Sequence, residues 1–257
     1  MLIIYTLYCS YNIGMSWDES YHQKIGEINL QYLLSFGQID EPFFSKYRYS
    51  TLYWTVLSFI NQMFPQKFYL EVYHVLNSFF GLMTIVGLYK LNKILFNKSV
   101  AKISSILLFL IPFFYGHFAI NFKDIILAFA HVWIIYYVYK YIFFDYKLKK
   151  RLVLILKISL LSALGTGVQL LFLGSLIPII LVFLTMVLFF KKKSLKILLT
   201  DFIVFLFLFY FVLILFWVDT HSNIIKLPIE FFIKTLSINV GWSFNLLNGD
   251  YLNSNNI

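Results

Sequence analysis

Two short polar stretches hold the residues best suited to chemistry. Ser16-Trp17-Asp18-Glu19-Ser20-Tyr21-His22 follows the first apolar run and sets adjacent carboxylates near an imidazole. Gly116-His117-Phe118-Ala119-Ile120-Asn121-Phe122-Lys123-Asp124 follows a later apolar run and ends in a cation beside a carboxylate. Carboxylates from two loops that converge on one cleft can divide the work. One takes a proton from a hydroxyl, and the other positions that hydroxyl or a divalent cation, Mg²⁺ or Mn²⁺, which Asp18 and Asp124 would hold. Lys123 and Arg48, in Lys46-Tyr47-Arg48-Tyr49, are cations of the kind that neutralise a phosphate, and Arg48 can bind one bidentately. His22, His117 and Asn121 stand near these groups in sequence as supporting ligands, acids or hydrogen-bond partners.

Each residue also has a structural reading. Asp18 suits a helix start, where the macrodipole favours negative charge. Ser16 and Glu19 have the spacing of a capping box. Asp124 can pair with Lys123 at a span terminus, and Lys123 and Arg48 can reach lipid headgroups. His74 and His131 fall inside apolar runs and read as packing or interhelical hydrogen bonds. Gly165, Gly167 and Gly174 read as close-packing positions between helices.

The elements that must position these groups are apolar. Of 257 residues, 60% are hydrophobic and 13% charged, against about 25% charged in a soluble domain. The apolar residues form long blocks, which are too long for barrel strands, so the chain reads as an all-α polytopic membrane protein. About seven spans are expected, near 1–13, 69–89, 103–120, 125–144, 152–168, 170–190 and 198–218. Residues 14–68 form a first outer loop with interfacial helices. One begins near Ser16, with Ile25, Ile28 and Tyr32 on one face, and another runs from about Thr51 to Phe64. Residues 219–257 begin a later outer segment. The single cysteine, Cys9, excludes a disulfide framework and multi-cysteine metal sites.

Charge gives the orientation. Fourteen of the 21 Lys and Arg residues fall in three loops, Lys90 to Lys102, Lys140 to Lys157 and Lys191 to Lys196. Pairs of spans separate these loops, so all three share a side, which the positive-inside rule makes cytoplasmic. This distribution explains the net charge of +9 without a nucleic-acid partner, since a nucleic-acid surface lines one folded face with cations. Of the 12 acidic residues, only Asp145 and Asp201 lie on the cytoplasmic side. The rest gather at the outer side, where solvated charge can go and where chemistry is expected.

On these stretches the chain resembles GT-C superfamily glycosyltransferases that use polyprenyl-phosphate sugars. It is most similar to the protein O-mannosyltransferase and aminoarabinose-transferase group related to glycosyltransferase family 39. Asp18-Glu19-Ser20-Tyr21-His22 is like that family's Asp-Glu motif after the first span. Gly116-His117 through Asn121-Phe122-Lys123-Asp124-Ile125 is like its Gly-His…Asn-Pro-Lys-Asp segment, and Leu246-Leu247-Asn248-Gly249-Asp250-Tyr251 is like a later outer-loop segment. Phe122 stands where the family has Pro, and Gln169 where relatives often have Arg.

The resemblance implies a GT-C-like fold with Asp18 as catalytic base, Asp124 as second acidic residue and Glu19 in support. The implied donor is a polyprenyl-phosphate sugar, the acceptor a lipid, glycan or protein, and the surroundings membrane lipids. The implied place is the outer face of the cell (inner) membrane. Residues 1–257 correspond to about the N-terminal half of a family member, so they are expected to be a single transmembrane domain incomplete at its C-terminal end. A transporter or a non-catalytic membrane partner is the alternative. Transporters place charges near mid-bilayer and often carry inverted repeats; here the charges lie at span ends and no repeat is evident.

Overall fold

The computed structural model describes residues 2–16, 18–38, 50–190, 194–237, 244–247 and 250–253. Among the described residues eleven helices run in order: α1 (Leu2–Asn12), α2 (Glu19–Leu34), α3 (Leu52–Asn61), α4 (Tyr69–Leu95), α5 (Lys98–Leu110), α6 (Pro112–Ile120), α7 (Asp124–Phe143), α8 (Leu148–Val168), α9 (Phe172–Phe190), α10 (Leu195–Leu215) and α11 (Lys226–Ser237). Short 3-10 turns at Gln66–Phe68 and Val218–Thr220 lead into α4 and out of α10. Strands β1 (Phe244–Leu247) and β2 (Asp250–Asn253) pair antiparallel, Leu247 opposite Asp250. Asn248-Gly249, the residues between, are a sequence pair that favours two-residue hairpins.

The chain is a helical membrane protein. Four segments are each long and apolar enough to cross a bilayer, Gln66–Leu95, Asp124–Phe143, Leu148–Val168 and Leu195–Leu215. The run expected as one span over 103–120 is instead two helices, α5 and α6, bent by 67°. Pro112 explains the break. Its ring disfavours helical geometry at the preceding residue, and Ile111 is extended at φ −70°, ψ 112°. The first apolar run forms only the 11 residues of α1, roughly 16 Å of helix against a hydrocarbon core of about 30 Å.

Contacts at the helix ends fix the direction of each element. At one end, Tyr141 near the close of α7 donates its hydroxyl to Asp201 Oδ2 at 2.6 Å. Arg151 near the start of α8 places Nε 2.9 Å from the same oxygen. Asp201 lies near the start of α10, so α8 and α10 begin at the same end. At the other end, the Thr51 amide donates to the Phe216 carbonyl, just past α10, at 3.2 Å. A Cβ on Gly167, near the close of α8, would lie 3.4 Å from Ser50. The chain therefore crosses the bundle between α8 and α10, and α9 is the element that does so. The Asp201 end carries the basic segment Lys147 to Arg151, and the opposite end carries α2 and α3.

α4 runs through the middle, packed on α1, α5, α6 and α7. Ser78, Gly81, Thr84 and Gly87 are small residues at every third position, all buried. A Cβ on Gly81 would sit 2.7 Å from the Phe118 ring, and one on Gly87 2.9 Å from Val132. Small residues let helix backbones approach in this way. Gly165 plays the expected part against Phe172, whereas Gly174 has nothing within 4 Å of a built Cβ. The expectation of close packing at Gly174 is therefore corrected. The core next to the polar end joins Tyr53, Trp54 and Leu57 of α3, Tyr73 of α4, Phe122, Ile126 of α7 and Val168 of α8.

Candidate functional site

The two polar stretches meet at the end of the bundle that carries α2. Lys123 Nζ lies 4.0 Å from Asp18 Oδ2, with 40% and 34% of the two side chains exposed. Asp18 flanks the start of α2 and makes no capping hydrogen bond. Its carboxylate instead takes a bond from the Ser16 hydroxyl at 3.4 Å and stands 3.7 Å from His22 Nε2, one turn on.

Lys123 and Asp124 are set by the α6–α7 junction. The last carbonyls of a helix have no intrahelical partner. Here Asn77 of α4 supplies one, donating from Nδ2 to the carbonyls of Phe118 at 2.8 Å, Ala119 at 3.3 Å and Asn121 at 3.0 Å. The Tyr53 hydroxyl donates to Asn77 Oδ1 at 2.8 Å and holds the amide in that orientation. Asn121 then serves the next helix. Its Oδ1 accepts the amides of Lys123 at 3.0 Å and Asp124 at 2.8 Å. Its Nδ2 donates to Asp124 Oδ2 at 2.9 Å and to His117 Nδ1 at 2.6 Å, which leaves the His117 proton on Nε2. Asp124 is exposed at the N-terminus of α7, where the helix dipole favours a carboxylate.

Glu19 has a different position from the one expected. It does not close a capping box with Ser16. It is fully buried, and Nε2–H of His74, equally buried on α4, donates to Glu19 Oε2 at 3.0 Å. The reason is geometric: α2 starts at Asp18 rather than Ser16, so Glu19 opens the helix and turns into the bundle. The α2 helix is correspondingly more enclosed than an interfacial helix, with Glu19, His22, Gln23, Asn29 and Ile25 all buried. His74 makes the interhelical hydrogen bond expected of it.

His22 is buried and stacks on Trp54, ring centroids 4.5 Å apart and planes 7° apart. Burial, and then the charge of Lys123, push its imidazole down to about 4, although Asp18 pulls the other way. His22 is thus neutral at pH 7. Arg48 lies outside the described residues.

Among the described residues no group of three or more His, Cys, Asp or Glu side chains is arranged to hold a metal ion. A hard divalent cation asks for several oxygen ligands, and the near neighbours of Asp18 are an ammonium, a hydroxyl and an imidazole. Among the described residues, the neighbours of Asp18 therefore do not supply the oxygen ligands such a cation asks for.

A cavity of about 360 Å³ opens between α7 and the α8–α9 junction, lined by Leu127, Ala128, His131, Gln169, Phe172 and Ser175. Leu127, part of its wall, follows Lys123 by one helical turn, its amide donating to the Lys123 carbonyl at 3.0 Å. Gln169, at the end of α8, is part of its wall.

The arrangement can hold an anion against Lys123 and accept a proton at Asp18, while Asn121, its amide fully engaged, holds the exposed Asp124 carboxylate in place. Sequence reasoning missed Asn77 and Tyr53. The available signal was a lone amide in an apolar run, since a buried amide is costly unless hydrogen-bonded. Comparison of the chain with protein-family models, curated proteins and solved structures returns no match.

Proposed function

We propose that the protein is a membrane glycosyltransferase of GT-C type, moving a sugar from a polyprenyl-phosphate donor to an acceptor hydroxyl on the outer face of the cell membrane. The observation that carries this reading is the meeting of Asp18 with Lys123, 4.0 Å apart, at the polar end of an apolar helical bundle. A base and a phosphate-binding cation from separate stretches are what such a transfer needs. The approach of Asp124, Asn121 and His117 through one hydrogen-bonded junction supports it, as does a cavity lined in part by Leu127, one turn after Lys123. In this reading α9 also crosses the bilayer, and the Asp201 end faces the cytoplasm by its basic loop.

The chemistry balances as a single displacement. Asp18 takes the proton of the acceptor hydroxyl. The acceptor oxygen forms a bond to the anomeric carbon as the bond from that carbon to the phosphate oxygen breaks. The electron pair departs with the phosphate, whose charge Lys123 stabilises, with Arg48 as a second candidate cation. Base and leaving group lie on opposite sides of the reacting carbon, each about 3 Å from its partner oxygen. Transfer therefore requires donor phosphate to draw the long Lys123 stem away from Asp18. Acceptors in range of this chemistry are lipid, glycan or protein hydroxyls.

The test is consumption of a polyprenyl-phosphate sugar by the purified chain in proteoliposomes. Asp18→Asn is expected to abolish transfer with insertion unchanged. Undiminished transfer by that variant sinks the reading, and solute flux without sugar transfer puts a transporter in its place.

A further inference from the structure

His74 is buried in α4 and has no part in the proposed displacement, yet it touches both halves of the site. Its Nε2–H holds Glu19 Oε2 at 3.0 Å across 55 residues of sequence. Glu19 is the immediate neighbour of Asp18. The same ring has Phe122 as an offset, nearly parallel neighbour, centroids 6.4 Å apart and planes 20° apart. Phe122 is the immediate neighbour of Lys123, and it is itself buried against Tyr73, 6.1 Å away edge to face.

We propose that His74 is the positioning residue of this site. One imidazole sets where the Asp18 carboxylate sits relative to the Lys123 ammonium, by a hydrogen bond to Glu19 on one side and the neighbouring Phe122 ring on the other. The proposal rests on the reading of Asp18 and Lys123 as the working pair.

Three features support a positioning role over a stabilising one. A buried carboxylate–imidazole pair recovers little net free energy, because both groups lose water, and apolar side chains of similar size often do as well. What such a pair adds is direction, since a 3.0 Å hydrogen bond fixes the rotation of α2 about its start where apolar contact would not. The second feature is Phe122. A proline at that position would stiffen the junction through its own backbone. Here an aromatic ring does so through the core, and His74 is part of the surface it packs on. The third is exposure. Asp18 and Lys123 are each more than a third exposed, so their own attraction is weak and something buried must hold them in register.

The experiment has two arms. In the first, Cys9→Ser removes the native thiol, and Asp18→Cys with Lys123→Cys places two thiols at the pair. Cross-linking by a short bifunctional thiol reagent in membranes then reads the separation, with no need for activity. Replacing both buried groups, Glu19→Leu with His74→Phe, keeps the interior apolar and the fold intact while removing the directional bond. This is expected to slow cross-linking roughly tenfold or more. Glu19→Gln, which still accepts from His74, is expected to keep the rate. Equal cross-linking in the Leu/Phe pair overturns the proposal.

In the second arm, the Leu/Phe pair is placed in the otherwise native chain. It is expected to lower kcat by about 10- to 100-fold with the donor KM little changed. A native kcat overturns the proposal as well. An Asp18→Asn chain that transfers sugar at full rate removes the transferase reading instead, and the cross-linking arm still decides whether His74 positions the two stretches.

Discussion

Lys123 Nζ faces Asp18 Oδ2 at 4.0 Å, and both side chains are open to solvent over more than a third of their surface. Such a pair contributes less than about 1 kcal/mol to stability, so its worth to the protein lies elsewhere. Asp18→Asn and Lys123→Gln are each expected to leave the thermal midpoint in detergent almost unmoved. Each is expected to lower sugar transfer by about 100-fold or more, the usual loss when a charge aimed at the transition state is removed. A paired measurement of unfolding and turnover checks this. Loss of activity that tracks loss of stability would contradict it.

Asn77 joins four groups: it donates to the carbonyls of Phe118, Ala119 and Asn121 and accepts from Tyr53. Asn77→Leu keeps the volume and leaves those buried groups without partners, which costs on the order of 3 kcal/mol. Tyr53→Phe removes only the hydroxyl, and about 1 kcal/mol is expected. The same order is expected for activity, because the junction Asn77 caps is the one that carries Lys123 and Asp124. Denaturation of the two variants beside the native chain gives the ranking, and equal losses would show that the cap is shared differently.

His22 gives a pH dependence with a defined sign. Its imidazole is held down to about 4 in the folded chain by burial and by Lys123, against an ordinary value of 6.5. Between these values the unfolded chain binds a proton that the folded chain does not. Stability is therefore fully present above about pH 6.5 and declines as the pH falls toward 4, by up to ~3 kcal/mol from this group alone. His22→Phe keeps the stack on Trp54 and removes the titration. Its unfolding midpoint is expected to lose part of the native chain's decline between pH 6.5 and 4. An identical decline in both would assign the effect to other groups.

The spans were legible because an apolar block in a membrane protein has one way to satisfy its backbone. α4, α7, α8 and α10 start within a few residues of the limits read from hydrophobicity. The two polar stretches, which the expected crossings place on one side, approach at Lys123 and Asp18, 4.0 Å apart. The break at Pro112 was present in the sequence but outweighed by the apolar run around it. Glu19 was misplaced for a subtler reason. The spacing from Ser16 fits a capping box, and only the partner on α4, 55 residues away, decides that Glu19 turns inward. Asn77 and His74 act through contacts of this long-range kind, which leave no local pattern. Arg48 and the segment around it lie outside the described residues, so its expected role at the phosphate remains part of the proposal.

Asp201 tests whether the two ends of the bundle are independent. It is buried at the end opposite the site, with Arg151 Nε at 2.9 Å and the Tyr141 hydroxyl at 2.6 Å. Removing one charge leaves the other buried and unmatched, so Arg151→Met is expected to destabilise the protein by about 3–5 kcal/mol. Replacing both, Arg151→Met with Asp201→Leu, is expected to restore most of that loss, because the desolvation of both charges disappears along with their attraction. The Asp201 group and the Asp18–Lys123 pair sit at opposite ends of the helices, so the double variant is expected to transfer sugar at the native rate. A stable double variant with low activity would mean that the packing of α7, α8 and α10 at the far end reaches Lys123, through α7, whose first residue follows it.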